Sequence, residues 1–212
     1  MSAGGLASAL GALGRFASPR RRVEACELCA AELADDHPHL VDAKARKLLC
    51  SCLACALLFG SQTGSKYKRV PRRIRFLAGF RLTDVAWESL TIPIGLAFFF
   101  ESSPAARVVA QYPSPAGATE SQLPLDTWSG LVAGNPVLAE MQSDVEALLV
   151  NRLGPVRGYS AAEYYLLPID ECYKLVWLIR AHWQGLSGGS NVWKHLESFF
   201  ADLKARAGAT YA

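Results

Sequence analysis

Five of the six cysteines, Cys26, Cys29, Cys50, Cys52 and Cys55, fall within a 30-residue stretch. They include two Cys-x-x-Cys pairs, Cys26/Cys29 and Cys52/Cys55, separated by 22 residues, a spacing that suits a four-thiolate metal site. A Cys-x-x-Cys turn aims two sulfurs at one centre, and two such turns facing each other make a tetrahedron. Zinc imposes no d-electron geometry, so it accepts whatever arrangement four packed thiolates prefer. Iron, in a rubredoxin-like or iron–sulfur site, is the alternative occupant, and a thiol redox pair is a third reading. A closed four-ligand site leaves no position for substrate, so the predicted role of these four sulfurs is structural.

Three neighbours are further candidate ligands. Cys50 is a spare thiol able to replace Cys52, and His37 and His39 could replace a cysteine or stand just behind the ligands. Asp35, Asp36 and Asp42 make the loop around the histidines acidic. The turns themselves, Cys-Glu-Leu-Cys-Ala and Cys-Leu-Ala-Cys-Ala, lack the glycine and proline that metal-binding turns usually carry. The sixth cysteine, Cys172, stands alone on an apolar helical face and reads as a small buried hydrophobe. No phosphate-binding, dinucleotide or metalloprotease motif occurs, and no nucleophile–base constellation can be assigned. The chain therefore leans away from being an enzyme with its own substrate, and no catalytic residue is named.

These residues sit in a chain of 212 residues, 51% hydrophobic and 19% charged, which is enough for a real core without disulfides. Charge is unevenly placed. Residues 1–81 carry 14 Lys/Arg against 6 Asp/Glu, a local +8, and residues 82–212 carry 8 against 13, a local −5. The reading is an α+β chain in three parts: a flexible N-terminal segment (1–22), a zinc-ribbon-like, cysteine-rich head (23–81) and an α+β body (82–212). Leu6, Leu10, Leu13 and Phe16 recur at helical spacing in the first segment, but Arg20–Arg22 follow the apolar run, opposite to a secretory signal. The apolar run Ile92–Phe100 contains Pro93 and is far shorter than the ~20 residues a membrane helix requires. A cytoplasmic protein without membrane insertion is expected.

Within the head, 61–65 reads as a turn, and Lys66–Val70 and Arg73–Ala78 as short strands. In the body a short antiparallel sheet and three main helices are expected. Ile94–Phe100 is apolar at every position, so it must be buried on both faces or central in its sheet. Arg107–Tyr112 would return as a hairpin partner, 113–120 would be loop, and Tyr164–Leu167 a further strand. Asp126 would cap a short helix ending near Gly134. Asn135-Pro136 would start a helix with the stripe Leu138, Met141, Val145, Leu148 and Leu149, stopped by Gly154. Asp170 would cap another with Cys172, Leu175, Val176, Ile179 and Trp183 inward, and Ser190 or Asn191 would open a last helix.

The run Lys66-Tyr-Lys-Arg-Val-Pro-Arg-Arg-Ile-Arg75 holds six positive charges in ten residues. Beside a zinc ribbon, Arg69, Arg72, Arg73 and Arg75 could contact phosphates; a charged strand edge guarding against aggregation is the alternative, and the acidic body argues against a wide nucleic-acid footprint.

Several stretches together resemble an uncharacterised bacterial family of about this length, encoded beside the structural genes of actinobacterial-type nickel–iron uptake hydrogenases. The residues that carry the resemblance are the head Cys26–Gly60, Tyr67–Pro71, Leu90–Phe100, Tyr112–Glu120, Asp144–Val150, and Pro168–Tyr173 with Ile179, Arg180, Trp183–Gly185 and Gly188-Gly189. The resemblance implies no catalytic residue. It implies a context: an accessory protein in the assembly, maturation or electron supply of a hydrogenase, partnered by a hydrogenase subunit or another maturation protein.

Overall fold

The computed structural model describes residues 24–60, 64–121, 125–154, 161–185 and 188–208. Residues 1–22 with their apolar stripe, most of the expected 61–65 turn and the side chain of Asp126 lie outside the described residues.

Six strands place successive side chains on opposite faces of one sheet, and both faces are covered. The antiparallel sheet runs β4-β9-β8-β5-β6-β7, with β4 Arg75–Phe76, β5 Leu96–Ser102, β6 Arg107–Ser114, β7 Gly117–Ser121, β8 Glu146–Asn151 and β9 Glu163–Pro168. From β5, β8 and β9, Phe98, Phe100, Leu149, Tyr165 and Leu167 point to one side, where helices α4 (Ile169–His182) and α5 (Gly189–Gly208) pack. Ala97, Phe99, Leu148, Val150 and Leu166 point to the other, against Leu131 of α3 (Leu125–Gly134), Leu138 and Met141. Double burial is why these strands are apolar at consecutive positions instead of alternating.

The α+β class holds, with five α-helices among the described residues, but the body differs from expectation in three places. The sheet is six strands wide, not short. In place of a helix over 136–154, the chain makes a 3-10 turn, Pro136–Glu140, and then β8. The switch falls at Asp144, whose φ is +72° and whose N–H donates to the Glu101 carbonyl at 2.8 Å. The apolar run after it is the doubly buried strand pattern, which over a few residues is identical to that of a buried helix. The 113–120 loop is likewise the end of a hairpin: Pro113 pairs with Ala118 and Ser114 with Gly117. Pro113 is tolerated because β5 pairs β6 only as far as Gln111, so its missing N–H has no ladder to break. A smaller shift concerns α4, where Pro168 takes the cap position and Asp170 lies in the first turn.

The head carries β1 (His39–Asp42), β2 (Lys47–Cys50) and β3 (Tyr67–Arg69) in a three-stranded antiparallel sheet of order β2-β1-β3, with α1 (Leu53–Gly60) beside it. A short helix α2 (Asp84–Ser89) follows, capped by the Thr83 hydroxyl, which accepts from the Ala86 N–H. Leu40, Leu49 and Ala56 form a small core under α1. Gly60 ends that helix where a Cβ would come within 2.7 Å of Leu40 and 2.8 Å of Arg69, so only glycine fits. Val41, Val70 and Ile74 belong instead to the body's core, and β4 pairs with β9. Head residues thus share both sheet and core with the body.

The basic run of the head is largely engaged by carboxylates. Lys66 pairs with Asp42, Lys68 with Asp144, Arg72 with Asp36, Arg73 with Glu146 and Arg75 with Glu140. Arg73 holds Glu146 through two bonds, 2.7 and 3.0 Å, and Glu146 is fully buried. Removing the guanidinium would leave a buried carboxylate without its countercharge. Arg73→Ala should therefore cost about 3–5 kcal/mol in urea unfolding, whereas Arg72→Ala, on the exposed Asp36 pair, should change stability by less than about 1 kcal/mol.

Acid should act through the same pairings. Contact with Lys47 lowers the Glu27 carboxyl, Arg72 lowers Asp36, the Ala45 N–H and Lys66 lower Asp42, and Arg107, helped by Arg46 against the effect of burial, lowers Glu120. A carboxyl held below its unfolded value stabilises the fold above the usual carboxylate range, and that contribution disappears as pH falls through the lowered value. Unfolding free energy should fall as pH drops from about 5 to about 3. Glu120→Gln should make that fall shallower than in the parent, measured by urea titrations at both ends of the range.

Candidate metal centre

The two Cys-x-x-Cys segments fold differently, and each has a local reason. Residues 24–33 close into a tight loop: Ala25 bridges Glu32, the Cys26 N–H donates to Ala31 O at 2.8 Å, and the Ala30 N–H returns to Cys26 O at 2.8 Å. Closing it forces Ala30 to φ +60°, the left-handed region that glycine occupies without strain. The second pair opens α1. The Cys52 carbonyl accepts from the Ala56 N–H at 2.9 Å, and its sulfur accepts from the Cys55 N–H at 3.4 Å, a sulfur version of an N-cap. Two matching turns were the simplest picture from sequence; one loop facing one helix start is what the chain builds.

Between them, Cys26, Cys29, Cys52 and Cys55 place their sulfurs within 4.8 Å of one another. All six cysteines are free thiols, and Cys29 Sγ and Cys52 Sγ lie 3.7 Å apart. That separation matches a metal tetrahedron: two sulfurs on bonds of about 2.3 Å stand about 3.8 Å from each other. Cys26 and Cys55 are buried with Leu33, while Cys29 is exposed.

Electrostatics differ across the four. Burial would raise the Cys26 thiol, but N–H groups of Cys52, Leu28 and Cys29 directed at its sulfur hold it down at about 6. Burial and the neighbouring sulfurs push Cys55 up to about 12. At Cys29 the Ala31 N–H favours the thiolate, yet the net direction is upward, because its thiol is held by Cys26. Four sulfurs this close cannot all ionise alone, and a divalent cation at their centre removes that repulsion. The donor set therefore suits a metal ion.

The remaining candidate ligands form a group of their own. His37, His39 and Cys50 bring one donor atom each within 4.8 Å of one another, and Cys50 also packs against Cys26, Leu33 and Cys55. The sequence pattern links His37 to His39 at a two-residue spacing, but only the strand register, His39 opposite Cys50, brings the thiol to them. Asp170, treated from sequence as a cap alone, is bonded to His39 Nδ1 at 2.8 Å. No sequence signal links two residues 131 apart. Of the acidic loop, Asp42 instead accepts from the Ala45 N–H at 3.0 Å and pairs with Lys66. Cys172 is fully buried in the body core, and burial pushes its thiol well above the usual range. Among the described residues, no helix is long and apolar enough to cross a membrane.

No curated protein and no solved structure matches the chain. A protein-family model does, described as a family of unknown function, DUF5947, and the match runs over residues 25–207. That span takes in both cysteine pairs, the histidines, Asp170 and every described strand and helix through Ala207, and the chain belongs to the DUF5947 family.

Proposed function

We propose that the protein is a non-catalytic accessory factor whose zinc-ribbon-like head is held by a structural zinc ion on Cys26, Cys29, Cys52 and Cys55. The convergence of the four sulfurs within 4.8 Å carries this reading. The head's energetics support it: outside the cysteines, its own small core holds little more than Leu33, Leu40, Leu49 and Ala56. Few large apolar groups are buried there, so metal binding supplies much of what folds the loop against the helix. When bound, the ion contributes cross-linking and charge neutralisation only, because all four positions are taken.

The context we propose is assembly or maturation of a nickel–iron hydrogenase, through contact with a hydrogenase subunit or another maturation protein, as the family resemblance implies. Leu53, Leu57, Leu58 and Phe59 of α1 are 44–59% exposed, a concentration of apolar surface that suits a protein partner. The carboxylates on Lys66, Lys68, Arg72, Arg73 and Arg75 favour a protein partner over a nucleic acid. Iron on the same sulfurs, giving an electron carrier, is the competing assignment, and colour separates the two.

Purified full-length protein should be colourless and carry zinc that Cys26→Ser or Cys55→Ser removes, with the head becoming protease-sensitive. Cys172→Ala should keep its metal. A red protein bleached by reductant would mean iron, and unchanged zinc in Cys26→Ser would refute the ligand set. In cells producing the hydrogenase, tagged protein should capture a hydrogenase subunit or maturation protein identified by mass spectrometry. Leu57→Glu with Leu58→Glu should abolish capture without loss of zinc; recovery of neither class of protein would remove the proposed context.

The loop geometry makes a separate prediction. Ala30→Gly relieves left-handed strain that costs an alanine about 1–2 kcal/mol and gives back about 0.5–1 kcal/mol in unfolded-chain entropy. It should raise stability by up to about 1 kcal/mol with zinc content unchanged, whereas Ala30→Val should weaken zinc retention in a chelator competition.

A further inference from the structure

We infer that His37, His39 and Cys50 form a second metal site, for a divalent ion of zinc's class, with one coordination position open to a cleft. The site is built by strand geometry. His37 and His39 are two residues apart as the chain enters β1, so an extended backbone sends both rings to one side. Their centroids are 4.9 Å apart with planes at 64°, edge to face rather than stacked flat. Antiparallel pairing sets Cys50 of β2 directly opposite His39 and completes three donors within 4.8 Å.

Both imidazoles are held in the state a metal requires. His37 Nδ1 donates to the Ala34 carbonyl at 2.8 Å, and His39 Nδ1 donates to Asp170 Oδ2 at 2.8 Å. With the proton fixed on Nδ1, each ring keeps its Nε2 lone pair for a ligand. A carboxylate behind one histidine and a carbonyl behind the other is how metal-binding histidines are commonly oriented. The His37 side chain is only 7% exposed, and its Nε2 is buried without a hydrogen-bond partner, with Glu24 Oε2 3.6 Å away. A buried imidazole nitrogen left unbonded is costly unless something coordinates it.

The surroundings differ from those of the four-cysteine cluster. His37, His39 and Cys50 open on a cleft of about 850 Å³ that is also lined by Arg72 and by Asp170, Lys174 and Trp177 of α4. Structural zinc sites are closed by four protein ligands; sites that bind an exchangeable ligand use three and leave the fourth to water or substrate. Two imidazoles and one thiolate fit zinc better than magnesium or calcium, which take oxygen donors. The fourth position would take water or a small Lewis-basic ligand entering through the cleft.

This inference concerns residues outside the four-cysteine cluster and stands or falls without it. The probe is Zn²⁺ alone, added in excess to the full chain, removed by desalting and counted by elemental analysis. The parent protein should retain two ions per chain, and His39→Ala and Cys50→Ser should each retain one while unfolding at close to the parent temperature. Because those variants could disturb β1 and β2, Asp170→Asn serves as a milder test. It keeps all three ligands and should weaken the second ion by about 10–100-fold in competition with a chromophoric chelator, leaving the first unchanged. No ion in the parent, or the parental ion count and affinity retained in both Asp170→Asn and His39→Ala, would overturn the second site. Loss of zinc confined to Cys26→Ser and Cys55→Ser would leave the four-cysteine reading standing alone.

Discussion

Both clusters hang on the pairing of β1 with β2, and that pairing is fixed at its open end by a reciprocal clasp. The Glu27 N–H donates to the Cys50 carbonyl at 3.0 Å, and the Glu27 carboxylate accepts from the Cys50 N–H at 3.0 Å. The clasp joins the Cys26–Cys29 loop to the last residue of β2, and Cys52 follows two residues later to open α1. A slip of one residue between β1 and β2 would turn Cys50 to the opposite face from His39 and shift the start of α1 away from the loop. Register here is a chemical constraint as well as a packing one.

The head cannot be fixed by its own apolar contacts, so polar ties to the body carry much of the positioning. Arg73 on Glu146, Lys68 on Asp144, Arg46 on Glu120 and His39 on Asp170 each join a head residue to a body residue. Much of the opposite-sign imbalance between residues 1–81 and 82–212 is taken up by these contacts. Asp144 shows how far one residue is used. It accepts from the Ser103 N–H at 2.9 Å, pairs with Lys68 at 2.6 Å and turns the chain from the 3-10 segment into β8. The same residue starts a central strand and anchors the head.

Sequence spacing made the four-cysteine group legible because both pairs are local and metal-binding turns are short. It also made the central strands legible where a run such as Leu96–Phe100 was flanked by turn residues. It misread 136–154 because a doubly buried strand carries no alternation, and proline after asparagine suits a 3-10 turn as well as an α-helix. It missed β7 because small and hydroxyl side chains signal a loop, while here Ser114 and Gly117 only close the tip of a hairpin. The grouping of Cys50 with the histidines depended on register, and Asp170 on the docking of α4 against the head. Neither has a trace in local spacing, since both arise from tertiary contact.

The two clusters differ in what they leave open, and that difference follows from where each lies. The four sulfurs lie between the loop and the first turn of α1, with Cys26 and Cys55 buried against Leu28 and Leu33 and Cys29 at the surface. His37, His39 and Cys50 face the seam where the head meets α4, and one orienting group, Asp170, is supplied from the body side. Because β2 reaches Cys50 and the chain then continues to Cys52 at the start of α1, one short stretch of backbone positions a donor of each group. A head of this kind is both a folded module and a means of presenting three preset donors to a cleft.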